Sequence, residues 1–123
     1  MPEPVLRMRD IVIDCNDHEK VVRFWASALG WKRRPVNEQY VALVPPTPMA
    51  GASPPALLFQ KVPEKKTGKN RVHIDFGAKR RMEEEVKRLV GLGAKVVATR
   101  SLDDLNWTVL ADPEGNEFCV SDS

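Results

Sequence analysis

Apolar positions in this chain follow two rhythms, one with a period of two and one with a period near 3.6. Residues 5–15 (VLRMRDIVIDC) are rich in Val and Ile and predict a strand on which Ile11, Ile13 and Cys15 share one face and Asp10, Val12 and Asp14 the other. Asn16 and Glu19 then have the spacing of a capping box, with Asn16 as N-cap. Val21, Phe24, Trp25, Ala28 and Leu29 recur at helical spacing up to Gly30, a residue suited to a left-handed helix end. Trp31 to Val36, Gln39 to Val44 and Ala56 to Val62 predict three further strands. The stretch from Pro45 to Pro55 holds five prolines and cannot supply a sheet's hydrogen bonds, so it is expected to be a loop, with Met49 as an apolar contact over a nearby cleft.

The second half repeats this order. Arg71 to Gly77 predicts a strand with Val72, Ile74 and Phe76 opposed to Arg71, His73 and Asp75. Met82, Val86, Leu89 and Val90 give a helical stripe, flanked by Glu83–Lys87 and Glu84–Arg88 pairs, and Gly91 and Gly93 bracket its end. Strands follow at Ala94 to Thr99, Leu105 to Ala111 and Glu117 to Ser121, the last after the turn Asp112-Pro113-Glu114-Gly115-Asn116. Gly30 and Gly93 stand 63 positions apart, as do Asp10 and His73. That common offset marks an internal repeat. The expected fold is α+β: two tandem βαβββ modules, about 5–62 and about 70–121, forming one curved, incomplete eight-stranded barrel with the helices outside, in a single domain spanning 1–123.

Composition narrows the function classes. Hydrophobic residues make up 42% and charged residues 29%, which excludes disorder, a collagen-like repeat and a disulfide scaffold. Lys and Arg total 19 against 17 Asp and Glu, so the formal charge of +2 predicts neither a nucleic-acid nor a membrane-surface partner. No apolar run approaches the ~18 residues of a membrane helix. The opening Met1-Pro2-Glu3-Pro4 has neither the basic nor the apolar region of a secretory signal. Cys15 and Cys119 are therefore expected to be free thiols in a reducing cytoplasm. The polar strand faces hold an imidazole between charged neighbours, and Trp31, Phe59 and Trp107 are enough aromatics to line a pocket.

Four segments in register, FWASALGW, LLFQKVPE, KNRVHIDF and ADPEGNEFCV, resemble the glyoxalase/bleomycin-resistance/extradiol-dioxygenase (vicinal oxygen chelate) superfamily over about Arg9 to Val120. The resemblance implies a cleft between paired modules and a divalent metal held by residues of both. Carried over by position, the ligand sites fall on Asp10, Gln60, His73 and Cys119. The usual residues at the first and last of these are His and Glu, and Gln60 is a neutral variant of the second. Asp14, Asp75 and Trp107 face the same cleft. A set of Asp, Gln, His and Cys suits zinc, and suits iron in an oxygenase poorly.

Two functions follow from the resemblance. One is a metal-assisted lyase, isomerase or dioxygenase acting on a small oxygenated metabolite, with glutathione-dependent glyoxalase I chemistry disfavoured by the loss of the acidic ligand. The other is a metal-free protein that binds or sequesters a small molecule in the same cleft, of the bleomycin-resistance type. A small-molecule ligand and a homodimer are expected in either case. Each residue also has a plainer reading: Asp10, Asp14 and Asp75 as solvated carboxylates, Gln60 as a polar strand residue, His73 as a pocket-lining imidazole, Cys119 as a small buried hydrophobe. His18, in the first helical turn, is expected in solvent.

Overall fold

The structure, a computed structural model, describes residues 5, 6, 8–46 and 54–122; most of the proline-rich stretch, with Met49, lies outside them. The chain divides into two compact units, Met1–Pro63 and Glu64–Ser123. The first holds β1 (Asp10–Cys15), α1 (His18–Leu29), β2 (Lys32–Pro35), β3 (Tyr40–Val44) and β4 (Ala56–Lys61). The second holds β5 (Ile74–Ala78), α2 (Met82–Leu92), β6 (Lys95–Leu102), β7 (Leu105–Ala111) and β8 (Glu117–Asp122). These are the two tandem βαβββ modules of an α+β fold. Each is a four-stranded sheet, ordered β1-β4-β3-β2 and β5-β8-β7-β6. In each, the first strand pairs in parallel with the last and the remaining pairs are antiparallel.

In the first module, Val21, Val22, Phe24 and Trp25 of α1 are buried, and so are Leu43, Leu57 and Phe59 on the strands beneath. Burying a side chain of this size contributes ~1.5–3 kcal/mol, so this stripe holds the helix in place. The N-cap is Asp17 rather than Asn16: its Oδ1 accepts the Lys20 N–H at 3.3 Å. Asn16 is drawn away by the end of β4, where its Nδ2 donates to the Val62 carbonyl at 2.8 Å. Glu19, the expected partner of that cap, instead meets Arg23 and Arg33 and ties α1 to β2. His18, expected in solvent, is half-buried and bonded, its Nε2 donating to the Gln39 carbonyl at 2.6 Å. Gly30 ends the helix at φ 71°, with its N–H on the Ala26 carbonyl, as the pattern predicts.

The second module buries Leu110, Phe118 and Val120, with Phe118 set edge-on to Phe76 at 6.0 Å between centroids. Its helix stripe is narrower than expected. Leu89 is buried, whereas Val90 is 44% exposed. Arg88 closes on Glu85, one residue nearer than the predicted spacing. The N-cap residue of α2 is Arg81, which gives no side-chain cap; the first N–H, of Met82, is taken instead by Asp122 Oδ1 at 2.9 Å from the far end of β8.

Three strand limits differ from the sequence pattern by more than one residue. β1 begins at Asp10 rather than Val5, where its pairing with β4 starts opposite Ala56. β5 begins at Ile74, not Arg71, because Asn70 Oδ1 accepts the Glu117 N–H at 3.1 Å where a longer β5 would have paired. Val72 therefore lies outside the strand and is 78% exposed. β6 runs on to Leu102 because β7 pairs it along its whole length, with a register shift between Val96 and Ala98. The turn before β8 is an Asx-turn: buried Asp112 accepts the N–H groups of Glu114 and Asn116 through Oδ1, and Gly115 adopts φ 89°.

Candidate functional site

Alternation along β8 sends Phe118 and Val120 into the core of the second module and leaves Glu117, Cys119 and Ser121 on the opposite face. The parallel register of β5 against β8 sets Asp75 directly across from Cys119. His73, two residues before Asp75, shares its side of the sheet. The result is a cluster of three donors. His73 Nδ1 lies 3.5 Å from Asp75 Oδ1 and 3.9 Å from Cys119 Sγ, and all three ligand atoms lie within 4.8 Å of one another.

Cys119 is buried, while the His73 and Asp75 side chains are 45% and 76% exposed, so the cluster opens to one side. Burial first, then the Asp75 carboxylate through its charge and its hydrogen bond, then Glu117, push the Cys119 thiol above its ordinary range; Lys69 pulls weakly the other way. At neutral pH the thiol keeps its proton and is not a nucleophile. Lys69 Nζ pairs with Glu117 Oε1 at 3.2 Å, which gives that carboxylate a partner of its own.

The three donors form part of the wall of a cavity of about 410 Å³, completed by Trp107, Ser121 and Asp122 and by the hairpin residues Asp104 to Asn106. That volume suits a small organic ligand. Trp107 and Ser121 are register partners on β7 and β8, so the indole and the hydroxyl lie side by side.

Of the residues expected at a site, the structure thus brings His73, Asp75, Cys119 and Trp107 together. In the first module Asp10 faces Ala56 across β1 and β4, and Gln60 faces Asp14. Four residues at ~3.3 Å each separate Asp10 from the Gln60 position by ~13 Å along the strands. Gln60 instead shares a row with Asp14 and Tyr40. The 63-residue repeat maps Asp75 onto Val12, and the register partner of Val12 is Leu58. The first-module counterparts of Asp75 and Cys119 are therefore apolar. Sequence reasoning passed over Asp104, Asn106 and Ser121; Ser121 was readable, since it continues the alternation of Glu117 and Cys119.

The donor chemistry fits a divalent metal. Bonds of ~2.3 Å to sulfur and ~2.0–2.2 Å to nitrogen and oxygen at a tetrahedral centre set neighbouring donors about 3.3–3.6 Å apart. The distances from His73 Nδ1, 3.5 and 3.9 Å, lie close to that. Three protein donors would leave one position of a four-coordinate ion open to a ligand.

The duplicated βαβββ architecture, with this cavity and donor cluster on one module, defines a glyoxalase-like protein. The family model for the glyoxalase-like domain matches residues 10–121, and the chain belongs to that family. No curated protein matches it. Solved structures share the fold. A glyoxalase/bleomycin resistance protein/dioxygenase family enzyme from Burkholderia phytofirmans PsJN is 16% identical, with 92% of this chain and 95% of that one covered at a TM-score of 0.72. A glyoxalase-related enzyme from Fulvimarina pelagi is 18% identical, with 97% and 89% covered at 0.68. The fosfomycin resistance protein FosX from Listeria monocytogenes, in a complex with Mn(II) and 1S,2S-dihydroxypropylphosphonic acid, is 13% identical, with 97% and 90% covered at 0.72. Among the described residues no helix is long and apolar enough to cross a membrane.

Proposed function

We propose that this chain binds a small oxygen-bearing organic molecule in the cavity of its second module, beside a divalent cation, zinc by donor type, held on the cavity wall. The observation that carries this reading is the convergence of an imidazole, a carboxylate and a thiol on the wall of a 410 Å³ cavity. When bound, such a cation polarises a ligand oxygen as a Lewis acid. The chain's own residues supply the remainder. Trp107 offers a flat apolar wall, Ser121 and Asn106 offer hydrogen bonds that orient the molecule, and the core packing of β8 holds Cys119 in place. With a single histidine in the cluster, an isomerase or lyase suits the site better than an iron dioxygenase, which needs two.

A metal-free binding protein is the second reading, favoured by one observation: the Cys119 thiol, protonated at neutral pH, is able to donate to His73 Nδ1 without any cation. Elemental analysis of untagged protein, with native mass spectrometry for co-purified molecules, separates the two. About one equivalent of zinc, lost in His73→Ala, supports the first reading. Metal-free protein whose bound molecule is weakened by His73→Ala supports the second. Protein that holds neither metal nor small molecule refutes both. A homodimer belongs to the proposal as well, and sedimentation showing only a 13.8 kDa species at high concentration removes it.

A further inference from the structure

We propose that the metal centre of this chain is complete within the second module, with Asp75 as its third protein ligand beside His73 and Cys119, and that Asp10 and Gln60 take no part in it. The proposal rests on the cation-binding reading above and says which residues do the binding. It differs from the ligand set that motif positions imply, which draws on both modules and omits Asp75.

Four observations support it. First, the three ligand atoms already lie within 4.8 Å of one another, with His73 Nδ1 3.5 Å from Asp75 Oδ1 and 3.9 Å from Cys119 Sγ. Second, two of the three donors stand on a stiff scaffold, with His73 one residue before the start of β5. Asp75 and Cys119 are register partners on hydrogen-bonded parallel strands, and Phe118 and Val120, on either side of Cys119, are buried. A site built on paired strands holds its donors more tightly than one built on loops. Third, the first module repeats only one of the three donors, Asp10 at the position that matches His73. The counterparts of Asp75 and Cys119 there are Val12 and Leu58, and the register keeps Asp10 and Gln60 apart. Fourth, the charges balance: a thiolate and a carboxylate neutralise a dication, with the imidazole neutral. A thiolate in the set selects zinc or cobalt over magnesium or manganese.

Cobalt(II) titration of the full untagged chain, followed by absorbance, tests this with readouts that need no activity. A thiolate bound to cobalt gives a charge-transfer band, and four-coordinate cobalt gives intense visible bands. The wild-type chain is expected to show both, with zinc displacing the cobalt and manganese failing to do so. Asp75→Asn is expected to weaken cobalt binding at least about tenfold. Its side chain is 76% exposed, so the variant is expected to fold, and circular dichroism checks that it does. Asp10→Asn and Gln60→Ala are expected to bind as the wild type does. If the wild-type chain shows no charge-transfer band, the cation-binding reading itself fails and this proposal with it. If the band is present but Asp75→Asn binds as tightly as wild type, Asp75 is not a ligand. If Asp10→Asn or Gln60→Ala weakens binding tenfold, the centre is shared between modules. Either of the last two results overturns the proposal and leaves the cation-binding reading standing.

Discussion

Asp122 borders the cavity, yet its carboxylate is engaged elsewhere, and that assignment can be tested. Its Oδ1 accepts the Met82 N–H at 2.9 Å and so caps α2, whose own N-cap residue, Arg81, gives no side-chain bond. Asp122→Ala leaves the first N–H of the helix without that acceptor. Loss of an N-cap acceptor costs ~1 kcal/mol, within a range of about 0.5–2. The lost negative charge at the helix N-terminus adds ~0.3–1 kcal/mol at an exposed position. Because the two effects overlap, the expected loss is about 1–1.5 kcal/mol. For a chain of this length that lowers the melting temperature by roughly 4–6 °C.

Thermal and urea unfolding followed by circular dichroism measure it, and two further variants separate the contributions. Asp122→Asn keeps an acceptor and loses only the charge, so it should cost less than Asp122→Ala. Arg81→Asp places a capping side chain at the N-cap itself. It should restore ~1 kcal/mol in the Asp122→Ala background and add less to the wild type, a coupling of at least about 0.5 kcal/mol. A loss within 0.5 kcal/mol of zero, roughly the size of an ordinary surface change, would refute the capping role. So would an equal gain from Arg81→Asp in both backgrounds. Cobalt binding should be unchanged in Asp122→Ala; a weakened cobalt complex would move Asp122 from the helix to the metal centre.

Glu19 gives a pH-dependent prediction. Hydrogen bonds from Arg33 and then Arg23 hold its carboxyl below the ordinary value of 4.5, so it favours the folded state above pH 4.5 and loses that contribution as pH falls through the lowered value. Glu19→Gln should therefore unfold at lower urea than wild type at pH 7, with the two midpoints converging well below pH 4.5; a difference that persists in acid would show that packing, not charge, is lost. Phe118→Ala should cost ~3–5 kcal/mol in urea unfolding, because the ring is buried and meets Phe76 edge-on. A cost under ~1.5 kcal/mol would mean that the second module's core lies elsewhere.

Much of the fold was legible because its signals are local. The stripe from Val21 to Trp25, the positive-φ glycines at 30 and 93, and the Asx-turn at Asp112 each depend on residues a few positions apart. The errors have distant causes. Asn16 and Asp17 are equally good caps by type, and the choice falls to the Val62 carbonyl, 46 residues away, which engages Asn16. The start of β5 was misplaced because Asn70 takes an N–H from Glu117, 47 residues away. The α2 cap comes from Asp122, 40 residues away. No periodicity carries such information.

The candidate site shows the same division more sharply. Alternation along a strand fixes which face a residue occupies, and it placed His73, Asp75 and Cys119 on one face. It says nothing about how far along a neighbouring strand a partner lies. Between parallel strands joined by a helical crossover no tight turn sets the register, so that offset has no local signature. A two-residue slip moves a side chain ~6.6 Å along the strand and leaves it on the same face. Leu58 and Gln60 differ by such a slip: both point to the side of β4 shared with Val12 and Asp14, and only pairing shows that Leu58, opposite Val12, is the counterpart of Cys119. Matching by motif favours the polar residue of the two, because a glutamine looks like a ligand and a leucine does not. The register reverses that choice, and it gives the two copies of the repeat unequal chemistry, with Val12 and Leu58 in one where the other has Asp75 and Cys119.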